Sequence, residues 1–434
     1  MQFVSTRSGR APVSFKEAVL RCLPAEGGLY VPTSTVDLRQ FFLYMDESTT
    51  YPELVATVAP PLLEGEFNPF SASRVAESAF NFEPTVRILD ENLSVMELNN
   101  GPTGVFKDFG IAFLAAVMEE LLKKSGRAMT LTATTGDTGS SVARAFAGRN
   151  GIIAVILYPR GSVRGLDPET FVQNGGNILP IQIDGNFDDC QRLIREAFED
   201  RVFADRYGLT SANTINIGRL LPQTFYFLYA FLKLKRHMRG ELVFSVPSGN
   251  FGNLLAGLYA WKFGLPVHGF IAAMNANASI GDFFAGNEFV PRDPIQTLSS
   301  SMDVGNPSNF ERLVAFYKES PAVMRNMVFP QIIDDNATMA AMKRAYDRYG
   351  LILDPHSAVG FAAAELALKG DLENGHAVIL STGHPAKRSA LVEKATGHPC
   401  EIPDTMKALS REVRPVALIP ANLVALEAAI AGCC

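Results

Sequence analysis

The stretch Ala128-Met129-Thr130-Leu131-Thr132-Ala133-Thr134-Thr135-Gly136-Asp137-Thr138-Gly139-Ser140 sets the architecture. Residues 128–134 read as a strand, a glycine-bearing turn follows, and a helical pattern occupies 139–148. The same alternation continues outward. Strands are predicted at 152–158, 177–183, 241–246, 267–273 and 376–381. Helices are predicted near 168–174, at 187–204 and 219–236, and from Asn250 onward. The strand runs are apolar without polar alternation, which suits parallel strands covered on both faces. Strands alternating with helices give a doubly wound α/β architecture. In such sheets ligands sit beyond the carboxyl ends of the strands, where loops open into helix N-termini.

Residues 1–78 differ in character. They hold short helical patterns, such as 15–23, and the turn-and-strand signal Gly27-Gly28-Leu29-Tyr30-Val31-Pro32, so a helical N-terminal domain is expected. A chain of 434 residues implies two or three domains. Apolar residues at 47% and charged residues at 19% place it among well-packed globular proteins. The net charge of −6 leaves no basic footprint for nucleic acid. The densest basic stretch (Lys233, Lys235, Arg236, His237, Arg239) closes a predicted helix, where cations offset the dipole. Five scattered cysteines, odd in number and without C-x-x-C, argue against disulfides or zinc. The six histidines show no ligand spacing, so no metal is expected. Residues 1–7 lack the apolar core of a secretory signal, the longest apolar run is 225–232, and 416–431 reads as a packed terminal helix. A cytoplasmic protein without membrane contact is the expectation.

Three glycine turns occupy the strand-to-helix positions: 133–140, 247–253 (Pro247-Ser248-Gly249-Asn250-Phe251-Gly252-Asn253) and 381–387 (Ser381-Thr382-Gly383-His384-Pro385-Ala386-Lys387). Glycine lets backbone approach an anion, and free amides at the next helix start point toward it. None matches G-x-x-x-x-G-K-[ST] or G-x-G-x-x-G, which disfavours nucleoside triphosphate and dinucleotide enzymes. Each turn alone needs glycine without any ligand; three at one end of a sheet point to a phosphate-bearing one.

A fourth element, Asn99-Asn100-Gly101-Pro102-Thr103-Gly104-Val105-Phe106-Lys107-Asp108-Phe109-Gly110, places Lys107 at a turn into a helix. Apolar neighbours and a helix N-terminus both penalise the lysine charge, which tunes an amine for attack on a carbonyl cofactor. The competing reading is a lysine stem covering apolar surface while Asp108 neutralises its head.

In combination these motifs resemble the threonine synthases. The 99–110 segment is similar to that family's cofactor-lysine motif, and 132–139, 248–252 and Thr382 with 384–387 resemble its loops. Val4-Ser5-Thr6-Arg7, 27–32, 211–216 and 219–223 resemble its opening and middle, in the right order along nearly the whole chain. The resemblance implies a tryptophan-synthase-β-like, fold-type II pyridoxal-phosphate enzyme. It would have two doubly wound parallel-sheet domains and an N-terminal domain (1–78), the large domain comprising 79–111 and 212–434 and the small one 112–211. It implies pyridoxal 5'-phosphate on Lys107 as the catalytic Schiff-base lysine. Gly249, Asn250, Phe251, Gly252 and Asn253 would hold its phosphate, Thr382 would face the pyridine nitrogen, and Asp137 would lie near the ring. The implied reaction converts O-phosphohomoserine and water to L-threonine and phosphate by γ-elimination and β-addition. Thr135, Ser140, Arg160, Asn216 and Arg219 are the substrate-side expectations.

The chain departs from the family pattern at 163–170, where Asp167 and Glu169 would repel a phosphate unless turned away, and at Arg388, where an aromatic is common. Two alternatives therefore stand beside the main reading: a phospho-lyase giving 2-oxobutyrate, and a non-catalytic cofactor- or phosphate-binding protein. A monomer or homodimer acting on a small molecule is expected.

Overall fold

The computed structural model describes residues 1–7, 11–63, 65–123, 126–160, 175–278, 280–319, 321–407 and 415–432. Its framework is two open sheets. The larger has six strands in the order Val328–Ile332, Gly269–Met274, Glu241–Pro247, Gly375–Ser381, Leu93–Glu97 and Thr85–Asp90. Its neighbours run parallel except for the last pair, which is an antiparallel edge. The smaller has five parallel strands: Ala417–Pro420, Ile178–Asp184, Ile152–Pro159, Ala128–Ala133 and Leu209–Thr210. Every residue of Ala128–Ala133, Gly269–Met274 and Gly375–Ser381 is buried. That is why these strands show no polar alternation: helices cover both faces.

The N-terminal region is helical, as expected, with Phe15–Arg21, Arg39–Tyr44, Tyr51–Leu62 and Pro69–Ala79. It also carries a small antiparallel sheet, Val13–Ser14 against Gln2–Ser5 against Tyr30–Pro32, of which the 27–32 signal marked one strand. Thr50 and Glu53 form a capping box at the start of Tyr51–Leu62, satisfying two amides reciprocally. That helix buries Tyr51, whose ring meets Phe109 at 5.4 Å and Tyr229 at 5.4 Å, edge-on. Phe109 also meets Phe82 at 4.9 Å, so the N-terminal helices pack on the helix that begins at Lys107. Phe109→Ala is expected to cost about 3–5 kcal/mol through the cavity it opens, measured by urea unfolding.

Three predicted elements are subdivided. The 187–204 helix is two, Phe187–Glu199 and Arg201–Tyr207, because Asp200 takes an extended conformation and caps the second. The 219–236 helix becomes Ile217–Leu220, a 3-10 turn Leu221–Gln223 and Thr224–Leu234. Pro222, lacking an N–H, sits in that turn. The terminal 416–431 segment is a strand, Ala417–Pro420, then a helix, Leu423–Ala431, capped by Asn422. Its strand pairs with Ile178–Asp184, so this part of the segment grouped with the large domain in sequence joins the small sheet instead. The expected helix at 168–174 and the 163–170 departure lie outside the described residues. The basic run at 233–239 does close a helix. Lys233 Nζ donates to Thr49 O at 3.0 Å and Lys235 Nζ to Phe42 O at 2.9 Å.

Among the described residues no helix is long and apolar enough to cross a membrane, and no His, Cys, Asp and Glu cluster could hold a metal. The loops after Ala128–Ala133, Ile152–Pro159, Leu93–Glu97, Glu241–Pro247 and Gly375–Ser381 all contribute to one cleft of about 1660 Å³.

Candidate active site

Lys107 is the first residue of the helix Lys107–Leu122. The turn before it is strapped to the third glycine loop. Phe106 N–H donates to Thr382 O at 2.9 Å, and His384 N–H to Gly104 O at 2.7 Å. Asp108 folds the turn from the other side. Its buried carboxyl accepts Thr103 N–H at 2.8 Å and Thr103 Oγ–H at 2.6 Å, and burial raises its pKa. A Cβ on Gly101 would stand 2.5 Å from Asp108 Oδ2, so the close approach requires glycine.

Asp108 is therefore not the partner of Lys107. That partner is Asp137, the first residue of the helix Asp137–Phe146, with Nζ–Oδ2 at 2.9 Å. The other oxygen of Asp137 meets Lys387 Nζ at 2.9 Å, and Lys387 also donates to Thr103 O at 3.3 Å. Burial lowers the pKa of Lys107, with Arg219 and Lys387 acting in the same sense and Asp137 against them. Burial opposes ionisation of Asp137, but the two ammonium groups outweigh it and hold the carboxyl well below the usual aspartate range. Such a depressed group contributes stability that is present above its unfolded pKa of about 3.9 and is lost as pH falls through the folded value. Asp137→Asn is thus expected to lower unfolding free energy at pH 7 by on the order of 1–3 kcal/mol. The difference should shrink below the ordinary aspartate pKa, read from urea unfolding at each pH.

The second glycine loop opens into an uncapped helix start. Phe251 adopts the left-handed conformation (φ 57°, ψ 6°) and leads directly into the helix Gly252–Lys262, which no side chain caps. The first amides of a helix have no intrahelical acceptor, so they remain for a ligand. Glycine is required beside them, since a Cβ on Gly249 would stand 2.8 Å from Met302 Cα. Asn253 Nδ2 is buried without a partner, another donor awaiting an acceptor. The Asn250 amide oxygen is engaged within the fold, accepting Ser308 N–H at 3.1 Å and Ser308 Oγ–H at 3.2 Å.

Lys107, Asp137, Thr382, Gly249, Asn250, Phe251, Gly252, Asn253, Thr135, Arg160 and Arg219 all line the one cleft. Arg219 is buried, with Nη1 donating to Ala212 O at 2.6 Å and Nε unpartnered. Burial lowers its pKa to about 10. Arg160 is at the exposed rim, paired with Asp184 at 3.4 Å. Asn216 and Ser140 are buried outside the cleft lining. The Asn216 amide donates to Val19 O, Thr210 Oγ1 and Ser211 O, at 3.0, 3.1 and 2.9 Å. Its polar capacity is committed to the fold, which corrects the substrate-side reading of that residue.

Lys387 closes the third glycine loop, and Arg388, a departure from the family pattern, follows it and donates through Nη2 to Ser300 Oγ at 2.9 Å. Sequence reasoning gave neither Lys387 nor the Asp354–His356 pair a role in the cleft they line. His356 pairs with Asp354 at 2.6 Å through Nδ1 and accepts Ser301 N–H at 2.9 Å through Nε2. A backbone N–H can only donate, so the ring proton is on Nδ1. Burial opposes the Asp354 charge, but the His356 ring and the Ser357 donors hold its pKa low. Asp354-Pro355-His356 sits at a helix start, a signal that spacing in the sequence does not distinguish from an ordinary N-cap.

Three family models cover the chain: threonine synthase N terminus over residues 2–80, pyridoxal-phosphate dependent enzyme over 85–383, and threonine synthase, C-terminal, over 357–430. The chain belongs to the threonine synthase family. Family members include the threonine synthase of Escherichia coli (strain K12), 36% identical over 407 residues and 93% of both chains. That of Buchnera aphidicola subsp. Schizaphis graminum is 35% identical over 94% of both. Among solved structures, threonine synthase from Escherichia coli superposes with a TM-score of 0.90 at 33% identity over 100% of both chains. A threonine synthase from Brucella melitensis with bound pyridoxal phosphate gives 0.88 at 31% identity, covering 99% of this chain and 98% of that one. The fold is therefore fold-type II, as expected.

Proposed function

We propose that the chain is a threonine synthase that converts O-phosphohomoserine and water to L-threonine and phosphate, with pyridoxal 5'-phosphate as its cofactor. The observation that carries this reading is the placement of a largely desolvated Lys107, ion-paired with Asp137, in the same cleft as the uncapped helix start after Phe251. The cleft fits the group: open helix amides and the orphaned Asn253 Nδ2 suit a phosphate. Lys107 would hold the aldehyde end, Gly249 to Asn253 the phosphate, and Thr382 with Asp137 the ring. When bound, the cofactor would supply an electron sink for the electron pair left on the amine-bearing substrate carbon when its proton leaves.

The rest falls to the chain. Lys107, tethered beside the substrate, takes and returns protons at Cα and Cβ because its amine need not travel. Arg219 and Arg160, with Thr135, are the donors for the substrate's anionic groups, and their stabilisation should be largest as charge gathers on the departing phosphate. Ser140, buried near the start of the helix Asp137–Phe146, is a further proposed donor on this side.

The N-terminal region to residue 78, a large unit (79–111 and 212 onward) and a small unit (112–211) are the proposed domains, with the strand Ala417–Pro420 and the helix after it reassigned to the small unit. A cytoplasmic location and a monomer or homodimer complete the proposal.

Incubating the protein with pyridoxal phosphate and O-phosphohomoserine should release phosphate and L-threonine in equal amounts. A keto acid and ammonia in place of threonine would identify a phospho-lyase. Absence of phosphate release from cofactor-loaded, folded protein would contradict both.

A further inference from the structure

Lys387 is the second cation on Asp137. Its Nζ stands 2.9 Å from Oδ1, while Lys107 Nζ stands 2.9 Å from Oδ2. Side-chain exposures of 13%, 17% and 14% for Lys387, Lys107 and Asp137 put the trio in a largely desolvated cleft wall. Two ammonium groups share one carboxylate, so the fully ionised trio carries a net positive charge. Loss of the Lys107 proton leaves Asp137 and Lys387 as a neutral pair. Without Lys387 the same proton loss would strand a lone carboxylate, which a desolvated wall penalises heavily.

We propose that Lys387 is a positioning residue for the amine chemistry of Lys107, keeping Asp137 charge-balanced so that the neighbouring amine can exist unprotonated. This rests on the reading of Lys107 as the cofactor lysine. Other charged groups around Lys107 do not substitute for it. Asp108 is engaged by Thr103. Asp354 is engaged by His356, whose Nε2 accepts Ser301 N–H; the Ser301 hydroxyl in turn donates to Asp137 Oδ2 at 3.4 Å, a neutral contact that balances no charge. Arg219 also disfavours the Lys107 charge, but among the described contacts it makes no ion pair with Asp137. When Lys107 carries the cofactor, Lys387 remains the partner of Asp137, so the carboxylate is paired in both states.

Lys387 also holds Thr103 O, so a loosened turn is the structural rival, and the test separates the two. Cofactor-stripped full-length protein is mixed with pyridoxal phosphate across the lysine titration range. Uptake is followed by the visible absorbance of lysine-bound cofactor. In Lys387→Met the midpoint of the rate profile should move up by about one pH unit, making uptake roughly tenfold slower at neutral pH. Lys387→Arg should stay near wild type. The double variant Lys387→Met/Asp137→Asn should return toward the wild-type midpoint, because it removes the carboxylate that needed balancing without restoring the Thr103 contact. An unmoved midpoint in Lys387→Met, or a double variant no better than the single one, would overturn the proposal. Lys387→Gln serves the same comparison where the methionine variant does not fold. Wild-type protein that takes up no cofactor on Lys107 would instead sink the cofactor reading, so the two failures are distinguishable.

Discussion

Lys107→Ala should yield a folded protein with no lysine-bound cofactor absorbance and with kcat/KM reduced by at least about three orders of magnitude. The fold should tolerate the change, because Lys107 makes one ion pair and Asp137 keeps Lys387 as its partner. Among the described residues the other amine paired with Asp137 is Lys387, which closes the third glycine loop and meets the opposite carboxylate oxygen. Added primary amines should restore a small part of the turnover by supplying the missing proton acceptor. Cofactor phosphate binding to the Phe251 loop should survive, so the variant should retain pyridoxal phosphate non-covalently, measured by equilibrium dialysis. Turnover close to wild type would mean that the proton-moving group lies elsewhere.

Arg312→Met should cost roughly 3–5 kcal/mol in unfolding free energy and loosen the cofactor as well. Arg312 is fully buried. Its guanidinium donates to Tyr30 O at 3.0 Å, Thr214 O at 2.7 Å, Ile215 O at 2.7 Å and Asn309 Oδ1 at 2.8 Å. These acceptors join the N-terminal sheet to the cleft wall, and burial pushes the guanidinium down to about 10. Methionine fills the volume but leaves the acceptors unsatisfied, so the loss is in hydrogen bonding rather than packing. The damage reaches the site through Asn309, which donates to Asn250 O at 3.1 Å and to Thr214 Oγ1 at 2.9 Å. Thr214 Cγ2 would lie 3.1 Å from a Cβ on Gly252, so the same contacts brace the anion loop. Pyridoxal-phosphate affinity should weaken by about tenfold, the loss of one modest hydrogen-bonding contribution. Urea unfolding and cofactor titration check the two effects separately.

The fold was legible wherever local pattern and tertiary packing agree. Strands such as Ala128–Ala133 and Gly375–Ser381 are buried throughout, and unbroken apolar runs between glycine turns announce that burial. The antiparallel edge at 85–97 was not legible, since Thr85–Asp90 is partly exposed and mixes polar with apolar residues. The terminal segment misled because its apolar run reads as one helix, whereas Pro420 ends a strand and Asn422 caps the helix after it.

The site divides along the same line. Lys107 and the Phe251 loop are contiguous motifs, readable from neighbours. Asp108 beside Lys107 looked like its counterion, yet a residue adjacent on the chain at a helix start points elsewhere; it staples Thr103 instead. The true counterion, Asp137, and the cation that shares it, Lys387, come from loops 30 and 280 residues away in sequence. Lys387 comes near Lys107 because Gly375–Ser381 pairs with Leu93–Glu97, whereas Asp137 follows a strand of the other sheet and meets both lysines across the cleft. Asn216 misled in the opposite sense, since a polar residue in a family-like segment can be consumed by the fold.

Borohydride reduction of the cofactor-loaded protein, followed by peptide mass mapping, tests the central claim most directly. The account predicts that the pyridoxyl mass is fixed on the peptide bearing Lys107 and on no other. Fixation on Lys387 or on a surface lysine, with the Lys107 peptide unmodified, would contradict it.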